Sequence, residues 1–415
     1  MSAEAAGEDP GRALSIVAPR KGLAGVRVAL VYDCLFPLTV GGAERWYRLL
    51  AEALAASGAQ VTYLTRRQWD GEMPPIPGVE VVAVSRKEDL YDDVGVRRLG
   101  PTLRFGAGCG RYLVTHRDDF DLVQVANFPF WSLLAARGAL AGTKVPVVVD
   151  WHEVWSLPFW RDYAGTVTGL VGFAVQRVCV AASAHAVVTS ARNGQRLKQA
   201  GCRAVPMVLA GYLPAESTGR GPDPQPSPAR SPPYALFAGR HIFDKGVDLL
   251  VDIAAGLAHG NQPIDLVVAG DGPARTALEA DVRARGLGGT VRFTGFVSDE
   301  ELTTLLRGAS CVIVPSRREG YGMVLVEATS HGTPAVVADF PENLAIDHVE
   351  DGRNGFVASP PTPPAVVQGV RQVILSGEPL RRSTLAWYRD AVATKTMDHS
   401  VRLALANYAR LVAGP

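Results

Sequence analysis

Short apolar runs alternate with longer segments of helical period along almost the whole chain, and this alternation restricts the possible folds most. The first three segments read VRVALVY, AERWYRLLAEALAASG and AQVTYLT. In the second of them, Trp46, Leu50 and Leu54 recur at a spacing of four residues, which gives a helix one buried face. The pattern is typical of a parallel sheet whose strands are joined by crossover helices. Further strand candidates lie at 79–84, 122–125, 145–149 and 186–188.

The alternation breaks at 216–233, ESTGRGPDPQPSPARSPP, and then restarts. This segment is rich in proline and has no periodic apolar face, so we interpret it as a linker. A chain of 415 residues also exceeds what one hydrophobic core usually fills. We therefore predict two Rossmann-like, doubly wound α/β domains, at 25–215 and 234–385. Residues 1–24 are expected to be a flexible tail, and 386–415 a helical segment.

Charge and cysteine content exclude several classes of protein. Lys and Arg number 42 against 41 Asp and Glu, so a nucleic-acid partner is not expected. No apolar segment is long enough for a signal peptide or a membrane span. A reduced, cytoplasmic setting fits the five cysteines, which are scattered and form no C-x-x-C pair. They are Cys34, Cys109, Cys179, Cys202 and Cys311.

The segment SRREGYGMVLVEA is a candidate anion-binding loop, because it lies between a strand and a helix. Gly320 and Gly322 let the backbone turn tightly, and the first helical N–H groups point outward without partners. Glu319 and Glu327 would repel a phosphate, so they favour a ligand that also carries hydroxyls, such as a nucleotide sugar. Alternatively, both carboxylates only stabilise the positive end of the helix dipole.

Two further strand-end loops follow in the second half. Arg240 and Lys245, in GRHIFDKG, could neutralise a diphosphate, or they could lie in a solvated turn. Phe296 and Val297, in FTGFVSDEEL, could line a pocket for a base, although a role in the core or its rim is equally natural.

The first half offers two weaker candidates. Gly41 and Gly42 stand directly before a helix, where small residues let a phosphate or sugar approach the backbone, although such a pair often marks only a turn. His152, in VPVVVDWHEVW, follows a strand end, where ligands bind in such sheets. A lone histidine is more often structural.

Together these segments resemble the family 4 retaining glycosyltransferases of GT-B fold, over about residues 25–390. The family's E-x7-E element is similar to Glu319 through Glu327, and its basic pair to Arg240 and Lys245. The segments AGDGP, HGTPAVVAD and VEDGRNGFVASP are also similar to the family's. One departure from the family's pattern is FPENLAIDH, which stands after VVAD where the family usually has a Gly-Gly loop.

The resemblance implies two domains facing each other across a cleft, with the acceptor bound by the first and the nucleotide sugar by the second. The 386–415 segment would cross back to the first domain. Glu319 would hold the donor sugar, Glu327 the ribose, and Arg240 with Lys245 the diphosphate, while His152 would contact the donor sugar near the reaction centre. The remaining donor-binding positions implied are Gly41, Gly42, Phe296, Val297, Gly320, Tyr321, Gly322, Met323 and Val324.

The resemblance also implies transfer with retained anomeric configuration, without a cofactor and without a metal. The donor would be UDP- or GDP-linked, and the acceptor a glycan, a lipid-linked molecule or a small molecule. Trp155, Phe159 and Trp160 could touch the inner face of the plasma membrane, or they could pack under a loop. An epimerase or hydrolase on the same scaffold, and a non-catalytic nucleotide-sugar-binding subunit, remain alternatives.

Overall fold

The computed structural model describes residues 22–39, 42–73, 75–90, 97–211, 232–259 and 262–414. Most of the predicted tail and linker, together with Gly41, lies outside the described residues. Two parallel sheets follow one another along the chain. The central strands of each sheet are almost entirely buried, as short, continuously apolar runs predict, whereas the edge strands are partly exposed.

The first sheet has the strand order β3-β2-β1-β4-β5-β6-β7, which is the order of a doubly wound fold with one strand added. All its strand pairs are parallel. The elements are β1 (Arg27–Val31), α1 (Gly42–Ala56), β2 (Gln60–Arg66), β3 (Val79–Ser85), α2 (Leu99–Thr115), β4 (Leu122–Ala126), α3 (Phe130–Ala139), β5 (Val147–Trp151), α4 (Leu157–Ala164), α5 (Thr166–Ala182), β6 (His185–Val188), α6 (Ala191–Gln199) and β7 (Met207–Val208).

The second sheet has the order β10-β9-β8-β11-β13-β15, and a separate two-stranded ribbon pairs β12 with β14. The elements are β8 (Tyr234–Ala238), α7 (Leu250–Ala258), β9 (Asp265–Ala269), α8 (Arg275–Ala284), β10 (Val291–Gly295), α9 (Asp299–Gly308), β11 (Cys311–Val314), β12 (Arg318–Glu319), α10 (Met323–Ser330), β13 (Ala335–Ala338), β14 (Glu342–Asn343), β15 (Gly355–Ala358), α11 (Pro363–Val392) and α12 (Met397–Ala413).

Helices cover both faces of the first sheet. Helices α2, α3 and α5 contribute Phe105, Leu133 and Cys179 to the core on one face. Helix α1 covers the other face, where the Trp46 indole donates a hydrogen bond of 2.9 Å to Asp150 Oδ2. All five cysteines are buried and free.

The last two helices connect the two domains. Helix α11 is interrupted at Gly377, whose φ of 55° is not helical. Helix α12 then packs against α1 of the first domain. There the Tyr408 hydroxyl donates to Gln124 of β4, and the Gly211 amide donates to Ser400 Oγ at 2.8 Å.

The prediction of two doubly wound α/β domains is confirmed. Residues from both domains line the cleft between them. Among the described residues, no helix is long and apolar enough to cross a membrane.

Candidate active site

A cavity of about 410 Å³, here called the small cavity, lies in the cleft at the carboxyl ends of the strands. The first domain contributes Gly42 and His152, and the second contributes Arg240, Lys245 and Glu319. Carboxyl ends of parallel strands meet at one edge of a sheet, so loops that are distant in sequence lie together there. Most of the described residues of both halves that the sequence singled out are therefore brought to one place.

The amino end of α10 forms one wall of the small cavity. Gly320, Tyr321, Gly322, Met323 and Val324 all line it. Gly322 precedes the helix with a φ of 90°, a left-handed conformation that favours glycine. The amides at the start of the helix have no intrahelical acceptors and can bind an anion.

Glu319 and Lys245 form an ion pair inside the small cavity, with 2.6 Å between Nζ and Oε2. Lys245 ends a single turn of 3-10 helix, and Gly246 follows it with a φ of 69°. A Cβ atom at Gly246 would lie 2.1 Å from the carbonyl oxygen of Pro315, so only glycine lets this loop approach β11 so closely. The ion pair holds the two side chains together at the cavity wall.

Arg240 follows β8 and is exposed to solvent in the cleft. No hydrogen bond or ion pair from its guanidinium is found within the described part of the chain. It lines the small cavity and also a second cavity of about 810 Å³, here called the large cavity. A free guanidinium at the junction of two cavities is suited to bind a diphosphate.

His152 follows β5 and also lines both cavities. Its Nε2 lies 3.9 Å from Oδ2 of the buried Asp150. Burial raises the pKa of Asp150, whereas His152 and the hydrogen bond from Trp46 partly oppose this effect. The imidazole therefore lies beside a buried carboxyl group at the place where the two cavities meet.

Aromatic side chains and an ion-pair network make up much of the large cavity. Arg318 bridges Glu153 of the first domain and Asp244 of the second, with 2.9 Å between the charged atoms of each pair. The Arg318 guanidinium also lies 4.9 Å from the centre of the Trp155 ring. The aromatic residues are Tyr32, Phe128, Phe130, Trp155, Trp160, Tyr163 and Phe243.

The Glu153–Arg318 ion pair joins the domains, and its side chains are each 22% exposed. Burial raises the pKa of Glu153, but the charge of Arg318 and the hydrogen bonds from Trp155 and Arg318 outweigh burial, so the pKa lies below its ordinary value. We call the arrangement in which this ion pair joins the two domains the closed form. Because the pKa of Glu153 is lowered in this form, its carboxylate stabilises the closed form at pH values above the ordinary pKa of the group. This contribution is lost as the pH falls through the lowered value.

Glu153→Gln is expected to shift the equilibrium toward an open form by about tenfold, since a charged hydrogen bond contributes roughly 1.5–3 kcal/mol. The radius of gyration from small-angle X-ray scattering should therefore be larger in the variant at neutral pH. The difference from the wild type should shrink as acid protonates Glu153. The matched control is Glu88→Gln, because the pKa of Glu88 is also lowered, chiefly by Arg104, but this pair lies within one domain. Equal radii of gyration for all three proteins would contradict the conclusion that the Glu153–Arg318 ion pair stabilises the closed form.

Three predicted donor-binding residues do not line the small cavity. Phe296 is 88% exposed, and Val297 packs beside it at the rim of the core. Both follow β10, the edge strand of the second sheet, which is two strands away from β8. Glu327 lies one turn beyond Val324 on α10 and is half-buried. Burial raises the pKa of its carboxyl group, and the charge of Arg45 partly opposes this effect.

Of the three aromatic residues considered for a membrane contact, Trp155 and Trp160 are buried, only 8% and 6% exposed, so these two side chains do not make such a contact. Trp155 donates to Glu153 at 2.6 Å, and Trp160 donates to Gln176 at 3.2 Å. The aromatic residues at this position pack in the wall of the large cavity. Phe159 is only half-buried, and a contact of the 155–176 region with a membrane stays a prediction.

Several polar residues of the cleft were not singled out in the sequence. Glu342, 6% exposed, accepts from Arg196 Nη1 at 2.6 Å and from the amide of Ser156 at 3.0 Å, so it joins the domains. It belongs to FPENLAIDH, and the departure of this segment from the family pattern was the feature of the sequence that could have indicated its role. The Thr189 hydroxyl is buried at the small cavity and has no hydrogen-bond partner among the described residues. No local motif marked Thr189.

Family models match both domains. Residues 223–385 match the model described as glycosyl transferases group 1, and residues 41–212 match the model described as glycosyl transferase 4-like domain. An alpha-D-kanosaminyltransferase from Streptomyces kanamyceticus is 35% identical over 142 residues, or 34% of this chain and 36% of that protein. The matches span only 36% to 47% of the length of the first curated relatives.

Solved structures share the architecture of nearly the whole chain. Sucrose-phosphate synthase from Thermosynechococcus elongatus gives a TM-score of 0.70 at 18% identity and covers 92% of this chain and 98% of its own. HepE from Anabaena in complex with UDP-glucose gives a TM-score of 0.64 at 18% identity and covers 92% of this chain and 99% of its own.

The chain has the fold of the GT-B glycosyltransferases, as the sequence predicted. The chain belongs to family 4 of these glycosyltransferases.

Among the described residues, no group of three or more His, Cys, Asp or Glu side chains could hold a metal ion. Reaction without a metal stays a prediction.

Proposed function

We propose that the protein is a retaining glycosyltransferase that moves a hexose from a UDP- or GDP-linked donor to a glycan, a lipid-linked molecule or a small molecule. The observation that carries the proposal is that His152 and Arg240 line both the small and the large cavity. A donor in one cavity and an acceptor in the other would meet at these two side chains.

The small cavity suits the donor, because it combines anion-binding groups with a carboxylate. The amide groups at the start of α10, together with Arg240 and Lys245, would bind the diphosphate. Glu319 would accept hydrogen bonds from the sugar hydroxyls. Binding of the diphosphate beside Lys245 would weaken its ion pair with Glu319 and free the carboxylate for the sugar. The UDP-glucose bound by HepE, a protein of the same fold, supports a donor of this class.

The large cavity suits an acceptor that carries hydroxyl groups on an apolar ring, because both flat aromatic side chains and charged groups line its walls. Retention would follow from attack on the same face of the sugar from which the diphosphate leaves. Charge that develops on the leaving diphosphate would be stabilised by side-chain cations and backbone amides, so the chemistry requires no metal or cofactor. Phe296 and Glu327 would contact base and ribose only if the nucleotide extends beyond the small cavity along α10.

Donor binding is tested by thermal unfolding of the purified protein with UDP, GDP, ADP and their sugar conjugates. A ligand at 100 times its dissociation constant adds about 2.7 kcal/mol to the free energy of unfolding, so one nucleotide should raise the melting temperature clearly. No shift with any nucleotide would contradict the assignment of the small cavity.

Turnover of the stabilising donor then separates transfer from its alternatives. Transfer requires that the donor be consumed faster when an acceptor is present, and NMR of the product should show the anomeric configuration of the donor. Consumption independent of acceptor would indicate an epimerase or hydrolase. Binding without consumption would indicate a non-catalytic subunit.

A further inference from the structure

Helix α5 carries a stripe of large apolar side chains that face solvent. Val167 is 75% exposed, Leu170 43%, Val171 56% and Val178 56%. Their spacing places them within about one third of the helix circumference, since each residue turns an α-helix by about 100°. They form a continuous apolar surface along the helix.

The opposite side of α5 is buried and apolar as well. Cys179 and Val180 pack in the core, and Gln176 hydrogen-bonds to Trp155 and Trp160 of the large cavity. Among the described residues, α5 packs mainly against α3 and α4. A stripe of apolar side chains left exposed on a helix typically marks an interaction surface.

Helix α2 carries a second group of exposed apolar side chains. Leu99, Leu103 and Val114 are 61%, 42% and 56% exposed and lie on one side of that helix. Helix α3 packs against both α2 and α5, so the three helices form one outer layer on the same face of the first sheet. The exposed residues of α2 and α5 belong to this single layer.

All charged residues in these three helices are arginines. They are Arg104 and Arg111 on α2, Arg137 on α3 and Arg177 on α5, and the helices contain no Asp, Glu or Lys. Arg104 is paired with Glu88 from outside the layer. The whole chain is nearly neutral, with a net charge of +1, whereas the four arginines make these three helices uniformly positive.

We infer that the outer layer of α2, α3 and α5 docks on a bilayer that contains anionic phospholipids. Exposed apolar side chains would enter the boundary between headgroups and acyl chains, while the arginines bind lipid phosphates. A second copy of this chain would bring the same positive charges face to face, whereas an anionic surface complements them.

Docking would orient the large cavity toward the lipid. Gln176 lines that cavity from the buried side of α5, so only the thickness of one helix separates the cavity wall from the apolar stripe. If the large cavity holds the acceptor, which rests on the proposed function, a lipid-linked acceptor could enter it without leaving the membrane. The docking surface itself does not depend on that assignment.

Flotation of the full-length protein with vesicles tests the inference. Vesicles of phosphatidylcholine mixed with phosphatidylglycerol should carry the wild type, and vesicles of phosphatidylcholine alone should carry far less. The double variant Val167→Glu/Val171→Glu should reduce partitioning by roughly tenfold or more. Arg111→Gln/Arg177→Gln should remove most of the preference for the anionic lipid.

Val205→Glu and Leu375→Glu are the matched controls, since these side chains are 87% and 86% exposed outside the layer. Both should float like the wild type, and all variants should keep its melting temperature because the substituted side chains contact solvent. The inference is overturned if the wild type floats with neither vesicle, or if the double variant floats equally well. It is also overturned if the layer joins two copies, shown by a dimer that the double variant abolishes without vesicle binding. Thermal shifts with nucleotides on the same samples test the proposed function separately.

Discussion

Glu319→Ala is expected to lower the rate of glycosyl transfer by about two orders of magnitude or more. The carboxylate faces the small cavity, is 17% exposed and is held by Lys245. Its removal would take away a charged hydrogen-bond acceptor for the donor sugar and would leave Lys245 without its partner. The loss should fall mainly on kcat if the carboxylate acts on the transition state, and on KM if it only binds the donor.

Glu52→Ala is a matched control for this substitution. Glu52 forms an ion pair of 2.5 Å with Arg48 on α1, and the exposed fractions of its side chains, 25% and 21%, resemble those of the Glu319–Lys245 pair. It lines neither cavity, so this variant should keep its activity while losing a similar ion pair. Near wild-type turnover in a stably folded Glu319→Ala protein would remove Glu319 from the site.

Gly322→Ala is expected to weaken nucleotide binding by at least about tenfold and to lower the free energy of unfolding. A Cβ atom at this position would lie only 2.6 Å from Cβ of Ala345, and the φ of 90° already disfavours a side chain. The amino end of α10 would have to move, which displaces the amides of Met323 and Val324 from the phosphate position. Isothermal titration with the nucleotide and thermal unfolding measure the two effects.

The control is Gly286→Ala, after α8. Gly286 also has a positive φ, 68°, but an added Cβ atom would have nothing within 4 Å. This variant should show only the intrinsic destabilisation of the left-handed conformation, about 1–2 kcal/mol, with unchanged binding. If both variants bind nucleotide equally well, the start of α10 does not hold the phosphate.

Local patterns predicted most of the strands and the loops that follow them. The segment before Arg240 is β8, and the segment before the Glu319 loop is β11, as their apolar runs indicated. Short elements such as β12 and β14 were not recognised, because two residues show no period. Their pairing nevertheless orients Glu319 toward the small cavity and Arg318 toward the large one, since alternate side chains of a strand point to opposite faces.

By itself, the sequence determined two parallel sheets, the loops at their carboxyl ends and the residue types that could bind a nucleotide sugar, because these depend on period and composition within short segments. Only the tertiary structure decided which of these loops meet. It joined Arg318 to Glu153 and Arg196 to Glu342 across the cleft, and it left Phe296 outside the small cavity. The reason is physical: strand order and domain placement arise from packing between residues that are distant in the chain, and no local pattern encodes those distances.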